Sequence, residues 1–352
     1  MNLHKRFPTL FKQPYLGEWL ILQELSGLSP NTLSAYGYAM IDYLRFCENN
    51  AINPPDAKRV DITAYINNLT TRPKSVTHSR PVRRPGFIRS PTHEGLANAT
   101  VRLRLAAVRL YYEYLTEEEV RATNPVKKGI YIRGNRFGGK RRGLVARYEE
   151  HPWLPDKAEW QAILSAASSE PIRNRFMLAL AYDAGLRRGE LCALQTSDMD
   201  PSERLLHLRA ETTKNRRARV IPYSQTTGEL YAAYLQQRRR LSKAPGPLFL
   251  SGSRRNLAQP LTFWTWSKIV HALGKRAGLP LLTTHTLRHL RLTDLAQAKW
   301  ETSLITAFAG HSSEATTMLY IHMSGRDLNE RFHQTLDSML DWRQETIKTS
   351  LL

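Results

Sequence analysis

Apolar side chains return at Leu33, Tyr36, Met40, Tyr43, Leu44 and Cys47, a single stripe at helical spacing, and Ser29 followed by Pro30 supplies its cap and first turn. A second stripe, Val101, Leu105, Val108, Tyr112 and Leu115, keeps the same period, with Arg102, Arg104 and Arg109 mostly off it, so its outer face is cationic. Shorter helical patterns cover 15–25 and 62–69, and no alternating strand pattern interrupts them. This predicts an all-helical first domain ending near Asn124 and Pro125.

After Trp153 the pattern changes. Helices are predicted over 156–167, 172–184, 262–277 and 288–298, and a hairpin over 205–222 carries Thr213, Lys214 and Asn215 in its turn. The fold class is therefore mainly α with a small antiparallel β-sheet, in two domains. No repeat of solenoid length is visible.

Two segments lack both apolar period and acidic residues. The stretch 72–91 holds Pro73, Pro81, Pro85, Gly86 and Pro91, and the stretch 127–147 holds several glycines with Lys140, Arg141 and Arg142. The resulting division is a helical domain over 1–126 with a basic, proline-rich insert at 72–95, a basic linker over 127–152, a mixed domain over 153–324, and a tail over 325–352. Leu328, Phe332, Leu336, Met339 and Leu340 give that tail one apolar helical face.

Length and charge narrow the function. The 352 residues exceed what one core usually organises, and a net charge of +20 attracts polyanions, of which nucleic acid is the commonest and membrane headgroups the alternative. The longest apolar run, 176–182, is far short of the roughly 20 residues of a spanning helix, and the N-terminus has no secretory pattern. A soluble, cytoplasmic protein is expected. Cys47 and Cys192 have no paired spacing, so each is read as a small buried hydrophobe.

Four clusters carry chemistry suited to a phosphodiester, which needs cations on its non-bridging oxygens, a nucleophile and a proton for the leaving oxygen. Arg187 lies in Gly185-Leu186-Arg187-Arg188-Gly189-Glu190-Leu191, at the start of a helical turn, where ion pairing with Glu190 is the ordinary alternative. Lys214 sits in the hairpin turn ahead of Arg216, Arg217 and Arg219. His285 and Arg288 are three apart in His285-Thr286-Leu287-Arg288-His289, on one face if they share a helix. Tyr320 follows Gly310-His311 by nine residues from the histidine, with His322 beyond; alone, a tyrosine titrating near pH 10 is a poor nucleophile.

Taken in order, these clusters resemble the tyrosine recombinase, or phage integrase, family, and the resemblance runs over nearly the whole chain. It implies a helical core-binding domain and a mixed catalytic domain that clamp DNA. By this resemblance Arg187 and Arg288 hold the scissile phosphate, Lys214 protonates the leaving 5′ oxygen, His285 exchanges protons with the nucleophile, His311 hydrogen-bonds the phosphate, and Tyr320 attacks. It further implies a 3′-phosphotyrosine intermediate without metal, cofactor or ATP, and two arginines able to lower the phenol's pKa. Double-stranded DNA sites are the implied partner, Arg102, Arg104, Arg109, Lys140, Arg141 and Arg142 the candidate DNA contacts, and a tetramer on two sites with exchanged tails the implied assembly, in the cytoplasm at the nucleoid. Integrase, transposase and chromosome or plasmid resolvase all fit. A silent DNA-binding regulator and a type IB topoisomerase-like enzyme are the alternatives.

Three departures from the family pattern stand out, the first being the basic, proline-rich insert over 72–91, which the simple members lack. Thr213 and Asn215 flank Lys214 where many members have glycine, although asparagine tolerates the left-handed turn, and Arg216 is the next candidate for the lysine's role. Ala309 replaces a common leucine before Gly310.

Overall fold

Helix α3 (Pro30–Asn49) starts where Ser29 Oγ accepts the Thr32 amide at 3.2 Å, with proline in the first turn, where its missing N–H costs nothing. Its predicted apolar stripe is buried, and it packs with α2 (Leu16–Leu25), α4 (Arg59–Thr71) and α5 (Asn98–Glu117). A short α1 (Leu3–Arg6), not anticipated from the sequence, adds Leu3 and Phe7 to this core; too few residues are involved for a period to show. The computed structural model describes residues 2–73, 95–126, 130–132, 140–142, 145 and 152–324. The chain divides into two compact units, Met1–Glu149 and Glu150–Leu352.

The first unit's core is rich in aromatic rings with polar handles. Trp19, Tyr43, Tyr65, Tyr111 and Tyr112 are fully buried; the Tyr43 and Tyr112 hydroxyls lie 2.6 Å apart, and Tyr112 donates to the Pro54 carbonyl at 2.6 Å. Asp42 joins three helices: it accepts from Tyr65 at 2.9 Å and from Arg72 at 2.9 Å, and pairs with Arg104. Within 127–152, expected as a linker, strands β1 (Ile130–Ile132) and β2 (Lys140–Arg142) pair antiparallel, Ile130 opposite Arg142. Three-residue strands are too short to leave a readable alternation.

The second unit opens with α6 (Lys157–Ser168), α7 (Ile172–Asp183) and the short α8 (Arg188–Cys192). Strands β3 (Met199–Asp200), β4 (Leu205–Leu208) and β5 (Arg219–Pro222) form an antiparallel sheet in that order, the predicted hairpin with one added edge strand. Helices α9 (Gln225–Leu241), α10 (Phe263–Arg276), α11 (Thr284–Gln297), α12 (Thr302–Ala309) and α13 (Glu314–Ser324) complete it. Their shared core runs from Ile163 and Phe176 through Leu206 and Ile221 to Leu287, Leu292, Ile305 and Tyr320. Helix α11 begins four residues before the predicted start, because Thr283 Oγ1 caps the Thr286 amide at 3.2 Å and the polar first turn hides the helix from a hydrophobic pattern. No helix among the described residues is long and apolar enough to cross a membrane. The insert over 74–94 and the tail over 325–352 lie outside the described residues.

Candidate active site

Gly185, at φ +55°, closes α7 and turns the chain so that Arg187 becomes the residue before α8. Arg187 is pinned there: its amide donates to Glu190 Oε2 at 3.0 Å, its Nη1 to Glu190 Oε1 at 2.8 Å, and its Nη2 to the Gly310 carbonyl at 3.3 Å. The Glu190 pairing proposed as an ordinary alternative thus exists, but it is buried rather than superficial. Glu190 is 2% exposed and also receives Arg219 at 2.8 Å. Burial alone would raise the pKa of this carboxyl, yet Arg219 and then Arg187 outweigh it and hold the group ionised below its ordinary range. Glu190 was not selected from the sequence; its role appears only when Arg219, 29 residues away, folds back on it.

His285 and Arg288 share α11, as their spacing required for convergence. Arg288 is 3% exposed and donates to the Gly185 carbonyl at 2.7 Å and to the Ala309 carbonyl at 2.6 Å. Burial, then the charge of Arg187, lowers its pKa to about 10, so it stays cationic at neutral pH. Arg187 and Arg288 therefore hang from consecutive carbonyls, Gly310 and Ala309, where α12 ends in a left-handed glycine at φ +60°. His285 keeps an exposed edge; burial of the remainder, then Arg188, Arg288 and Arg187, lowers its pKa.

His311 and Tyr320 complete the cluster. The His311 ring lies parallel to the Tyr320 ring, centroids 5.9 Å apart at 10°, and its Nδ1 is 2.9 Å from Thr317 Oγ1. Tyr320 is 3% exposed, and its hydroxyl sits 3.0 Å from Nδ1 of His289 rather than beside His285. His289 and His311 both titrate near about 4, through burial first and then neighbouring positive charge. Burial raises the phenol's pKa and outweighs the opposing effect of Arg288 and Arg187, a different balance from the lowered phenol that the sequence suggested. His289 stands in the motif, but nothing in spacing alone marks which imidazole meets the tyrosine.

Lys214 is exposed in the loop between β4 and β5. Thr213 Oγ1 shapes this loop, accepting the Arg217 amide at 3.0 Å, and the Asn215 amide side chain donates to the Gly310 carbonyl at 3.0 Å. The left-handed residue is Arg216, at φ +51°, and not Asn215, whose side chain ties the lysine's loop to the turn that anchors Arg187. A cleft of about 230 Å³ opens here, lined by Thr213, Asn215, Arg219, Gly310 and His311. Apart from Glu190, whose two oxygens are taken by arginines, the groups gathered are cations, neutral imidazoles and a phenol. That set suits an anion.

The chain is similar to known proteins. Residues 155–326 match the phage integrase family. That segment belongs to the family, the tyrosine recombinases. The recombinase is 26% identical over 299 residues to tyrosine recombinase XerC of Herpetosiphon aurantiacus, covering 85% of this chain and 86% of that one. It is 25% identical over 330 residues to transposase A from transposon Tn554 of Staphylococcus aureus, covering 89% and 88%. Among solved structures, its fold is similar to the Tn1549 transposon integrase in complex with transposon right end DNA (TM-score 0.63, 16% identity, 89% and 98% covered). A lambda integrase dimer bound to a core site is comparable (TM-score 0.61, 20% identity, 87% and 93% covered).

The candidate DNA contacts lie elsewhere on the recombinase. Arg102 is exposed on α5, Arg104 faces Asp42, and Arg109 lies 3.8 Å from Glu113 on the same helix. Lys140, Arg141 and Arg142 form β2.

Proposed function

We propose that this recombinase cuts and rejoins specific DNA sites through a 3′-phosphotyrosine bond at Tyr320. The observation that carries this reading is the gathering of Arg187, Arg288 and His311 around one buried phenol, the first two hung from adjacent carbonyls. In the proposed step the Tyr320 oxygen bonds to phosphorus while the bond to the 5′ oxygen breaks. Arg187, Arg288 and the His311 Nε2–H take the charge on the non-bridging oxygens, and Lys214 protonates the departing 5′ oxygen. The phenol's proton passes to Nδ1 of His289, which lies 3.0 Å from it and also orients it before attack, and His285 relays that proton to solvent at the exposed edge. The phosphotyrosine conserves the energy of the cut bond, so rejoining with a second 5′ hydroxyl needs no ATP.

The finer assignments rest on charge and on what the resemblance to the family implies. Double-stranded DNA is the substrate, with Arg102 and the β2 cations set against phosphates, and exchange of strands takes place in a tetramer on two sites whose tails pass between protomers. Such a protein works at the nucleoid. The test is covalent trapping on a bacterial genomic DNA library under denaturing conditions, followed by peptide mapping and sequencing of the attached fragments. A nucleotide-modified peptide containing Tyr320, formed equally in excess EDTA, is the expected result. An adduct at another residue, or binding without adduct, would overturn it, the latter in favour of a silent regulator; relaxation of one duplex without exchange between two would favour topoisomerase chemistry.

A further inference from the structure

We infer that the hydroxyls of Thr306 and Thr317 act as positioning groups that hold His311 in the tautomer carrying its proton on Nε2. Thr306 is on α12, Thr317 on α13, and His311 in the turn between them. Thr306 Oγ1 donates to Thr317 Oγ1 at 2.7 Å, and Thr317 is completely buried. A hydroxyl has one proton to give. With its oxygen already accepting from Thr306, Thr317 directs that proton to the acceptor on its other side, Nδ1 of His311 at 2.9 Å. A neutral imidazole accepts at one nitrogen and donates at the other, so an accepting Nδ1 places the proton on Nε2.

The opposite polarity, Nδ1–H donating to Thr317, would leave Thr317 accepting from both neighbours and its own proton with neither of them as acceptor, a costly arrangement for a completely buried hydroxyl. His311 also gains no proton from solution at neutral pH, because burial and then Arg288 hold its pKa near about 4. Its single proton therefore has to be steered, and the backbone helps: the His311 amide donates to the Thr306 carbonyl at 3.1 Å, fixing the ring's root beside the same residue that begins the chain of hydroxyls. The consequence rests on the proposed phosphate role of His311. Only the Nε2–H tautomer offers a donor to a phosphate oxygen while Nδ1 remains satisfied.

The experiment is a long-range proton–nitrogen correlation spectrum of the full chain labelled with ¹⁵N-histidine at neutral pH, with His311 assigned by the signal lost in His311→Gln. The parent is expected to show a protonated Nε2 and an unprotonated Nδ1, Thr317→Ser the same, and Thr317→Val a mixture of tautomers. A protonated Nδ1 in the parent overturns the inference without any variant, as does an unchanged tautomer in folded Thr317→Val. Titration with inorganic phosphate, followed on the His311 signal, is expected to weaken about threefold to tenfold in Thr317→Val and to recover in Thr317→Ser, a fraction of one charge-assisted hydrogen bond. Equal phosphate affinity in parent and Thr317→Val overturns the linkage to the site. A parent whose Nε2 is protonated but whose His311 signal ignores phosphate supports the tautomer and counts against the phosphate-site reading.

Discussion

The hydroxyl of Tyr320 meets Nδ1 of His289 at 3.0 Å, so the proposed nucleophile is held by the imidazole directly after Arg288 and not by His285. Both partners are largely out of water, where an unpaired polar atom costs more than the bond itself contributes. A double-mutant cycle of Tyr320→Phe and His289→Phe, read by urea unfolding, is expected to give a coupling energy of about 1 kcal/mol. Strict additivity would show that the contact contributes nothing to holding the phenol.

Stability should fall in mild acid. His289 and His311 have folded pKa values near about 4, while an unfolded histidine titrates near about 6.5, so the unfolded chain binds more protons between those limits. Their contribution is complete above about pH 6.5 and is lost as pH falls toward about 4, with a slope of up to roughly 2.7 kcal/mol per pH unit from the two together. Unfolding free energy measured across that window should show the slope, and His289→Gln should reduce it.

Glu190→Gln should be severe. The substitution leaves Arg187 and Arg219 without the buried carboxylate that both contact, and removing one partner of such a pair costs roughly 3–5 kcal/mol. Because the folded carboxyl has a depressed pKa, its contribution is present above the ordinary glutamate range and disappears as pH drops below about 4; the Gln variant should lack that acid-dependent component. Denaturant midpoints of parent and variant at about pH 7 and stepwise from about pH 5 to about pH 3 check both statements.

Gly310→Ala is expected to disturb the site more than the fold. A Cβ there would lie 2.8 Å from Arg219 Nη1, on a backbone already at φ +60°, while the carbonyl of the same residue anchors Arg187 and Asn215. The left-handed conformation costs a side chain about 1 kcal/mol, and the displaced Arg219 loosens Glu190. Phosphate titration against a thermal melt separates the two effects: affinity should fall several-fold for a small drop in melting temperature.

For the basic strand, replacing Lys140, Arg141 and Arg142 together by alanine should weaken DNA binding evenly across sequences and reduce the salt slope by up to about three units. A slope equal to the parent's would remove β2 from the DNA contacts.

The sequence by itself determined the parts of this protein that follow from residue type and short spacing. The stripes on α3 and α5 are periodic because each helix buries one face, and His285 and Arg288 converge because three residues make most of a helical turn. Arg187, His311 and Tyr320 could be singled out because few residue types suit phosphate chemistry and their order resembles a known family; the structure gathers them, and their roles are those proposed above. Short elements without a period, such as α1, β1 and β2, were not legible.

What only the tertiary structure decided are contacts between segments far apart in the chain. Arg104 looked like a free surface cation, yet helix packing brings Asp42 to it. His289 and His285 have the same chemistry one turn apart, and only the approach of α13 selects His289 for the Tyr320 hydroxyl. Glu190 joins Arg187 to Arg219, and Thr306 and Thr317 orient His311, because burial leaves each polar group no water and makes the neighbour that folding supplies its partner. Spacing along a helix is local geometry; the choice of partner is set by which surfaces each core brings together within its own unit.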